Sequence, residues 1–393
     1  MSDPHRSAEV EIDAGGYLIT PGWTNSHTHV AMGFFRGLTY GATDMIENIF
    51  YPAERALKKE WMKALSWSYL YAGLRSGVTC FVDHYYGSHG VADAMETLGV
   101  RGVVGETIAD INSVFDGQQS WKQARSEIES WEYSRVKPSL APHAADTVSK
   151  KLMSEIGAYA TSQNIPIHLH LSQTDGERER VQQREGVSPV EYAQKCGVLT
   201  PHTLAVHLVS ATQKDLKILH DQGTSAGFCP SSQLLYDEMS PIKDIWEQNL
   251  KISLGTDCAA CNDHGDLLSE MRFASLILRD RKIQHSAKDI FQMVTTAPQS
   301  VFNLPSCQLV EGNVADLVFM KLDLDTLPLT SSGENLLYSF QSRHVQHVMV
   351  DGEWVLWDTL PVKISRSHMQ EEYENTVKKI KHASKLEKHG AIL

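Results

Sequence analysis

The sequence predicts an α/β protein built on a (β/α)8 barrel of the TIM type, and two observations carry that prediction. Eight short apolar segments alternate with helical patterns from residue 21 to about residue 305. Five residues of metal-ligating type, His27, His29, His170, His207 and Asp257, stand at the C-terminal ends of four of those segments. In a parallel barrel that is the end where active sites are built.

The strand candidates are, in order, 22–29, 77–85, 100–108, 136–144, 165–173, 203–210, 223–231 and 250–258. Each is a short apolar run bounded by Pro, Gly or polar residues, as expected of strands buried on both faces. Between them, residues 55–76 place Leu57, Trp61, Leu65 and Tyr69 near a 3.6-residue period, so Trp61, Trp67 and Tyr69 are expected in the core. Residues 147–163 open on Thr-Val-Ser-Lys and run through Leu152, Ile156 and Tyr159. Residues 211–222 and 266–280 read as helices in the same way.

The flanks differ. Residues 8–20 and 307–360 hold short alternating segments, with a hairpin signal at Asp351–Gly352. The expected organisation is a small β-sandwich from 1–20 and 306–362, the barrel over 21–305, and a charged, solvated helical tail over 363–393.

Composition excludes several classes. The chain has 36 basic and 48 acidic residues, a formal charge of −12, and no Lys/Arg block before its end, so nucleic acid is not an expected partner. No run of 18 apolar residues occurs and the first residues lack a charged-then-apolar leader. No membrane association is expected, and a cytoplasmic location is. Six cysteines are too sparse in 393 residues for a secreted disulfide framework. Cys258 and Cys261 form a C-x-x-C directly after Asp257; a redox pair or a zinc clip is the minor reading, because no second cysteine pair is available, and small loop residues are the expected one.

The histidines point to hydrolysis. On a strand, H-x-H turns both imidazoles to one face. Neutral imidazoles with one carboxylate suit a borderline divalent cation, Zn²⁺ first and Fe²⁺ as the alternative. Such an ion makes water nucleophilic near neutral pH. His168 shares a face with His170, but a rise of about 3.3 Å per residue puts it deeper. The ligand role therefore falls to His170, and a supporting one to His168. His84 ends the second strand beside Asp83 and either reaches the substrate or packs as a hydrogen-bonded histidine. Asn262, Asp263 and His264 are expected in a solvated loop.

Six segments, PGWTNSHTH, LAPHAADTVS, HLHLSQTDGE, LAVHL, CPSSQ and LGTDCAACND, occur in an order that resembles the amidohydrolase superfamily. The resemblance is to its cytosine/adenosine-type deaminase and triazine hydrolase branch, which includes methylthioadenosine/S-adenosylhomocysteine deaminases. It implies one divalent ion per chain, zinc or iron, bound by His27, His29, His170, His207 and Asp257. It also implies Asp257 as the general base and His143 as a contact to the substrate or to the oxygen formed during attack, with His207 assisting. Gly312–Val318 and Val348–Glu353 match the flanking β-sandwich. The implied partners are a small heterocyclic substrate (a substituted purine, pyrimidine or triazine) and further copies of the chain in a homo-oligomer. The strand-four Lys of the binuclear branch has no counterpart here, where that segment offers His143.

Three departures from the family pattern matter. Where its deaminases carry Glu three positions after the strand-five histidine, this chain has Gln173. An amide can donate a hydrogen bond but cannot give up a proton near pH 7. Deamination could persist, the substrate or reaction could have changed toward a better leaving group or a cyclic amide or ureide, or catalysis could be lost and only ligand binding remain. Glu177 matches a further acidic position and is expected to support the site. Asp146 replaces the family's Tyr, either selecting an amine-bearing substrate or capping the helix near Thr147. Only 26 residues precede His27, fewer than is usual, so a longer natural start or a reduced β unit is expected.

Overall fold

A computed structural model describes residues 10–38, 49–111, 116–236 and 238–384 of the chain. After β1 (Tyr17–Pro21), the barrel strands are β2 (Trp23–His29), β3 (Val78–Tyr85), β4 (Arg101–Ile108), β5 (Val136–Pro138) and β6 (Ala141–Pro142). They continue as β7 (Ile167–Leu171), β8 (Thr203–His207), β9 (Ser225–Phe228), β10 (Ile252–Leu254) and β11 (Asp257–Cys258). All eight expected strands form, the fourth and the eighth each as two pieces.

Every pairing in the barrel is parallel, and the ring closes through the two broken strands. β5 and β6 both pair with β4, and the bridges Leu140–Ile167 and Ala144–His170 carry that strand on to β7. β7, β8, β9 and β10 follow in order. β11 then pairs with β2, setting Asp257 opposite Thr28 and Cys258 opposite His29. The breaks have local causes. Pro138 and Pro142 end the two pieces of the fourth strand, where each lacks a ladder N–H. In the eighth, Gly255 passes so close to β2 that a Cβ there would lie 2.6 Å from the His27 Cβ.

Helices fill the outside, and their caps refine the sequence reading. The helix expected over 147–163 starts at Lys150, because the Ser149 side chain accepts from the Leu152 N–H. Asp266 caps the helix Leu267–Asp280 through the Ser269 N–H. Trp61, Trp67 and Tyr69 are buried as expected.

The chain ends meet in an antiparallel sheet of β1, β12 (Leu317–Lys321), β13 (Val345–Val350), β14 (Glu353–Trp357) and β15 (Leu360–Pro361), in that order. Tyr17 pairs with Lys321 and Pro21 with Leu317. Asp351 (φ 55°) and Gly352 (φ 78°) make the tight turn between β13 and β14, both residues in the left-handed region that a two-residue hairpin needs. Among the described residues this unit is a single layer. Arg101 on β4 locks it to the barrel, its Nε 2.7 Å and Nη2 3.1 Å from the two carboxylate oxygens of Asp316.

The tail is not the solvated helix that its charge pattern predicts. Arg366–Ser384 is helical, but Met369 and Ile380 are buried, with Tyr373 and Val377 partly so. That i, i+4, i+8, i+11 stripe covers the helix Met62–Leu74, and the Trp67 indole donates to Glu372 Oε2 at 2.8 Å. Among the described residues, no helix is long and apolar enough to cross a membrane.

Because Gly255 lies against His27, Gly255→Ala should push β2 outward. Overpacking of this kind costs about 1–3 kcal/mol. Urea unfolding should show that loss together with weaker metal retention. An unchanged midpoint with unchanged metal content would mean the strands do not meet as described.

Candidate metal centre

The barrel brings the five sequence-predicted ligands to one place. Two triads, His27–His170–His207 and His27–His29–Asp257, share His27, and within each triad the donor atoms lie within 4.8 Å of one another. Asp257 Oδ1 is 3.5 Å from His27 Nε2 and 3.4 Å from His29 Nε2, and the Nε2 atoms of His29 and His170 are also 3.4 Å apart. Donors each about 2.1 Å from a common ion would stand roughly 3.0–3.4 Å apart. The residues present therefore fit a divalent ion. The buried His27 Nε2 and His207 Nδ1 have no hydrogen-bond partner, so the cluster leaves nitrogens for a ligand to satisfy.

The outer nitrogens are held from behind. His27 Nδ1 lies 2.7 Å from His168 Nε2, His170 Nδ1 is 2.9 Å from the His143 carbonyl, and His29 Nδ1 meets the His84 carbonyl. A carbonyl can only accept, so His29 and His170 carry their protons on Nδ1 and turn Nε2 inward. His168 thus holds the supporting position expected of it. Asp83 fixes the end of β2 by accepting from the Val30 N–H at 2.6 Å and the Thr28 hydroxyl at 3.2 Å. Asp257 Oδ2 takes the Ser232 hydroxyl at 2.6 Å, and Oδ1 takes the Cys258 N–H at 2.8 Å.

Burial sets the protonation of the imidazoles. It holds His168, His170 and His84 well below the usual histidine range, His207 at about 3 and His143 at about 4. These rings are neutral, the form that ligates a metal. Burial also lowers His27, against the pull of Asp257. His29 is raised, because burial is outweighed by Asp257 and Asp83. Burial would lift Asp257, yet the His27 and His29 imidazoles beside it keep it far below the usual carboxylate range.

The backbone is strained where these side chains emerge. Ser172 (φ 52°), His207 (φ 78°), Leu208 (φ 56°) and Asp257 (φ 60°) occupy the left-handed region without being glycine. Each such residue costs of order 1–3 kcal/mol, and such strain gathers at functional sites.

A cavity of about 230 Å³ opens onto this cluster, lined among others by His84, His143, Asp146, Gln173, Glu177 and Glu54. His143 Nδ1 is engaged by the Thr147 hydroxyl at 2.9 Å. His84 stacks on His170 with centroids 4.6 Å apart, and neither of its buried ring nitrogens has a hydrogen-bond partner. Glu177 is buried, with its carboxyl accepting the N–H groups of Ser172 and Gln173 at 3.1 and 2.7 Å. Burial nevertheless raises it to about 8. Its carboxyl thus braces the loop that carries Gln173.

Asp146 is not a helix cap, since Ser149 takes that place. Its carboxylate instead pairs with Arg180, 2.7 Å from Nη2 and 2.8 Å from Nε. Asn262 is not solvated either. It is buried, and its Nδ2 donates to the Thr256 carbonyl at 2.8 Å and to Glu270 at 3.0 Å.

Sequence reasoning missed three contributors. Ser232 lay in the CPSSQ segment, without a role. Tyr69, expected only in the core, donates its hydroxyl to the Asp257 carbonyl at 2.6 Å. Glu54 is a buried carboxyl that accepts the Tyr85 hydroxyl at 2.7 Å and is raised to about 7 by burial. An acid in the apolar Tyr51–Glu54 turn was the available signal.

Comparison with known proteins identifies the family. Residues 18–355 match the amidohydrolase family. A 5-methylthioadenosine/S-adenosylhomocysteine deaminase of Pyrococcus furiosus is 32% identical over 372 residues, covering 89% of this chain and 86% of that protein. A 5′-deoxyadenosine deaminase of Methanothermobacter thermautotrophicus is 30% identical, covering 89% and 84%. Among solved structures, an adenosine deaminase from Xanthomonas campestris with bound zinc superposes with a TM-score of 0.87 at 23% identity, over 93% of this chain and 87% of that one. A point mutant of atrazine chlorohydrolase from Arthrobacter aurescens TC1, complexed with zinc and atraton, gives 0.85 at 18% identity, over 92% and 89%. The last two likenesses speak to fold. The chain belongs to the amidohydrolase family of metal-dependent hydrolases.

Proposed function

We propose that this chain is a mononuclear zinc hydrolase that deaminates a 5′-substituted adenosine or a closely related purine nucleoside. The observation that carries the reading is the convergence of four imidazoles and Asp257, of which His29, His170, His207 and Asp257 line a cavity, in a chain whose relatives of about 30% identity are deaminases of such nucleosides. His27, His29, His170, His207 and Asp257 would hold the ion. When bound it supplies Lewis acidity and a water nucleophile near neutral pH.

The chain's own groups do the rest. Asp257 accepts the proton of the attacking water, its carboxylate oriented by Ser232 and Cys258. His143, with Nδ1 held by Thr147, has Nε2 left to meet the oxygen that forms at the attacked carbon. Gln173 offers an amide to a ring nitrogen and orients the heterocycle. Glu54, on the cavity wall, is suited to accept hydrogen bonds from sugar hydroxyls.

Gln173 favours a second reading, hydrolysis of a group that leaves more readily than ammonia, for which ring protonation matters less. The cyclic-amide and non-catalytic readings gain no support from the relatives.

An ammonia-release screen over 5′-substituted adenosines, adenosine and adenine, run on metal-loaded protein, tests the reading. Turnover of a nucleoside is expected, with Asp257→Ala slower by about 10²–10⁴-fold or more. No ammonia from any member, with metal retained, would contradict it. Gln173→Glu restores an acid where the ring nitrogen lies and should raise kcat/KM for deamination by about 10²-fold. An unchanged rate at full metal occupancy would show that proton donation there is not limiting. Glu54→Ala should raise KM for nucleosides by about 10–100-fold, the worth of a hydrogen bond to a charged group. An equal effect on the free base would remove Glu54 from sugar recognition.

A further inference from the structure

The two thiols of the C-x-x-C after Asp257 have no part in the chemistry above. Cys258 precedes the helical turn Ala259–Asn262, and Cys261 lies within it. Their Sγ atoms are 2.7 Å apart, and both line the cavity that holds His29 and Asp257. Cys258 is buried and Cys261 partly exposed, and neither is in a disulfide.

The separation discriminates between two uses of such a pair. Asp257, Cys258 and Cys261 also form a cluster that could hold a metal ion. Two thiolates on one tetrahedral zinc, each about 2.3 Å from it, would stand about 3.7 Å apart. A disulfide needs about 2.05 Å. At 2.7 Å the sulfurs are nearer to bonding each other than to flanking an ion. Neighbours in one turn can close that gap with little movement of the backbone.

We propose that Cys258 and Cys261 form a reversible disulfide on the cavity wall, by exchange with a small disulfide of the glutathione type. The Cys261 thiol, the more exposed of the two, loses its proton to solvent and attacks that disulfide. The attacked S–S bond breaks, one small thiolate departs, and a mixed disulfide remains on Cys261. Deprotonated Cys258 then attacks the Cys261 sulfur, and the second small thiolate leaves. Two protein thiols are oxidised, one small disulfide is reduced to two thiols, and the two protons end on those thiols. Because the Cys258 N–H holds Asp257 Oδ1 at 2.8 Å, the closed turn is anchored to the carboxylate at the centre of the site. Oxidation therefore stiffens the wall nearest the reacting atoms and slows turnover.

Full-length metal-loaded protein incubated with glutathione disulfide, digested without reductant and analysed by mass spectrometry tests the inference. Cleavage after Lys251 and Arg272 puts both cysteines in one peptide, 252–272. That peptide should be lighter by two hydrogens and return to its reduced mass with dithiothreitol. A fully reduced peptide at excess oxidant, or a glutathione adduct that never closes, would overturn the proposal. This reading is independent of what the protein hydrolyses. With a turned-over substrate in hand, oxidation should lower kcat/KM about fivefold and reversibly, while Cys261→Ser keeps its own rate under the same oxidant. Equal inhibition of Cys261→Ser would assign the response elsewhere.

Discussion

The eighth barrel strand stops at Leu254, passes His27 at Gly255, and resumes at Asp257 alongside the first strand. That seam is the contact on which the site depends. It places a carboxylate opposite Thr28, between the two imidazoles of the H-x-H. The other two histidines come from β7 and β8, which pair in register so that Leu171 stands beside His207. A parallel ring therefore delivers donors from strands far apart in sequence to one rim. No short peptide could hold them there.

Packing so many polar groups together has a cost, because a buried polar group without a partner loses its hydration. The protein offsets it with a surrounding layer of fixed acceptors and donors. The His84 and His143 carbonyls and the His168 ring orient three imidazoles, while Asp83, Ser232 and Tyr69 steady the strand ends that carry the clustered donors. Burial keeps most of the rings neutral, so the cluster is poised for a cation and not for protons. The left-handed residues at Ser172, His207 and Asp257 are tolerated for the same reason: the surrounding pairings over-determine them.

The fold was readable because its signal is repetitive. Eight apolar runs with chemistry at one end constrain topology even when individual boundaries drift by a few residues. The five clustered donors were readable because H-x-H and the later strand ends carry residue types that burial rarely accepts without a purpose. The choice of His170 over His168 needed only the strand rise. What escaped depended on contacts across the sequence. Tyr69 and Asp257 are 188 positions apart, and Ser232 meets Asp257 only because β9 and the eighth strand adjoin. Asp146 misled because a polar residue before a helix resembles a cap, while its partner Arg180 lies one helix further on. The terminal helix misled because four apolar residues in a charged segment form a stripe only when its neighbour, Met62–Leu74, is known. The C-x-x-C was legible as a motif, but the distance that gives it meaning was not.

The most direct test of this account is to count and locate the metal. Elemental analysis of protein loaded with zinc, joined to a crystal structure phased at the zinc edge, should find one ion per chain. That ion should lie within bonding distance of His27, His29, His170, His207 and Asp257. Two ions in the cluster, or a single ion held by Asp257, Cys258 and Cys261 with the imidazoles unengaged, would contradict it.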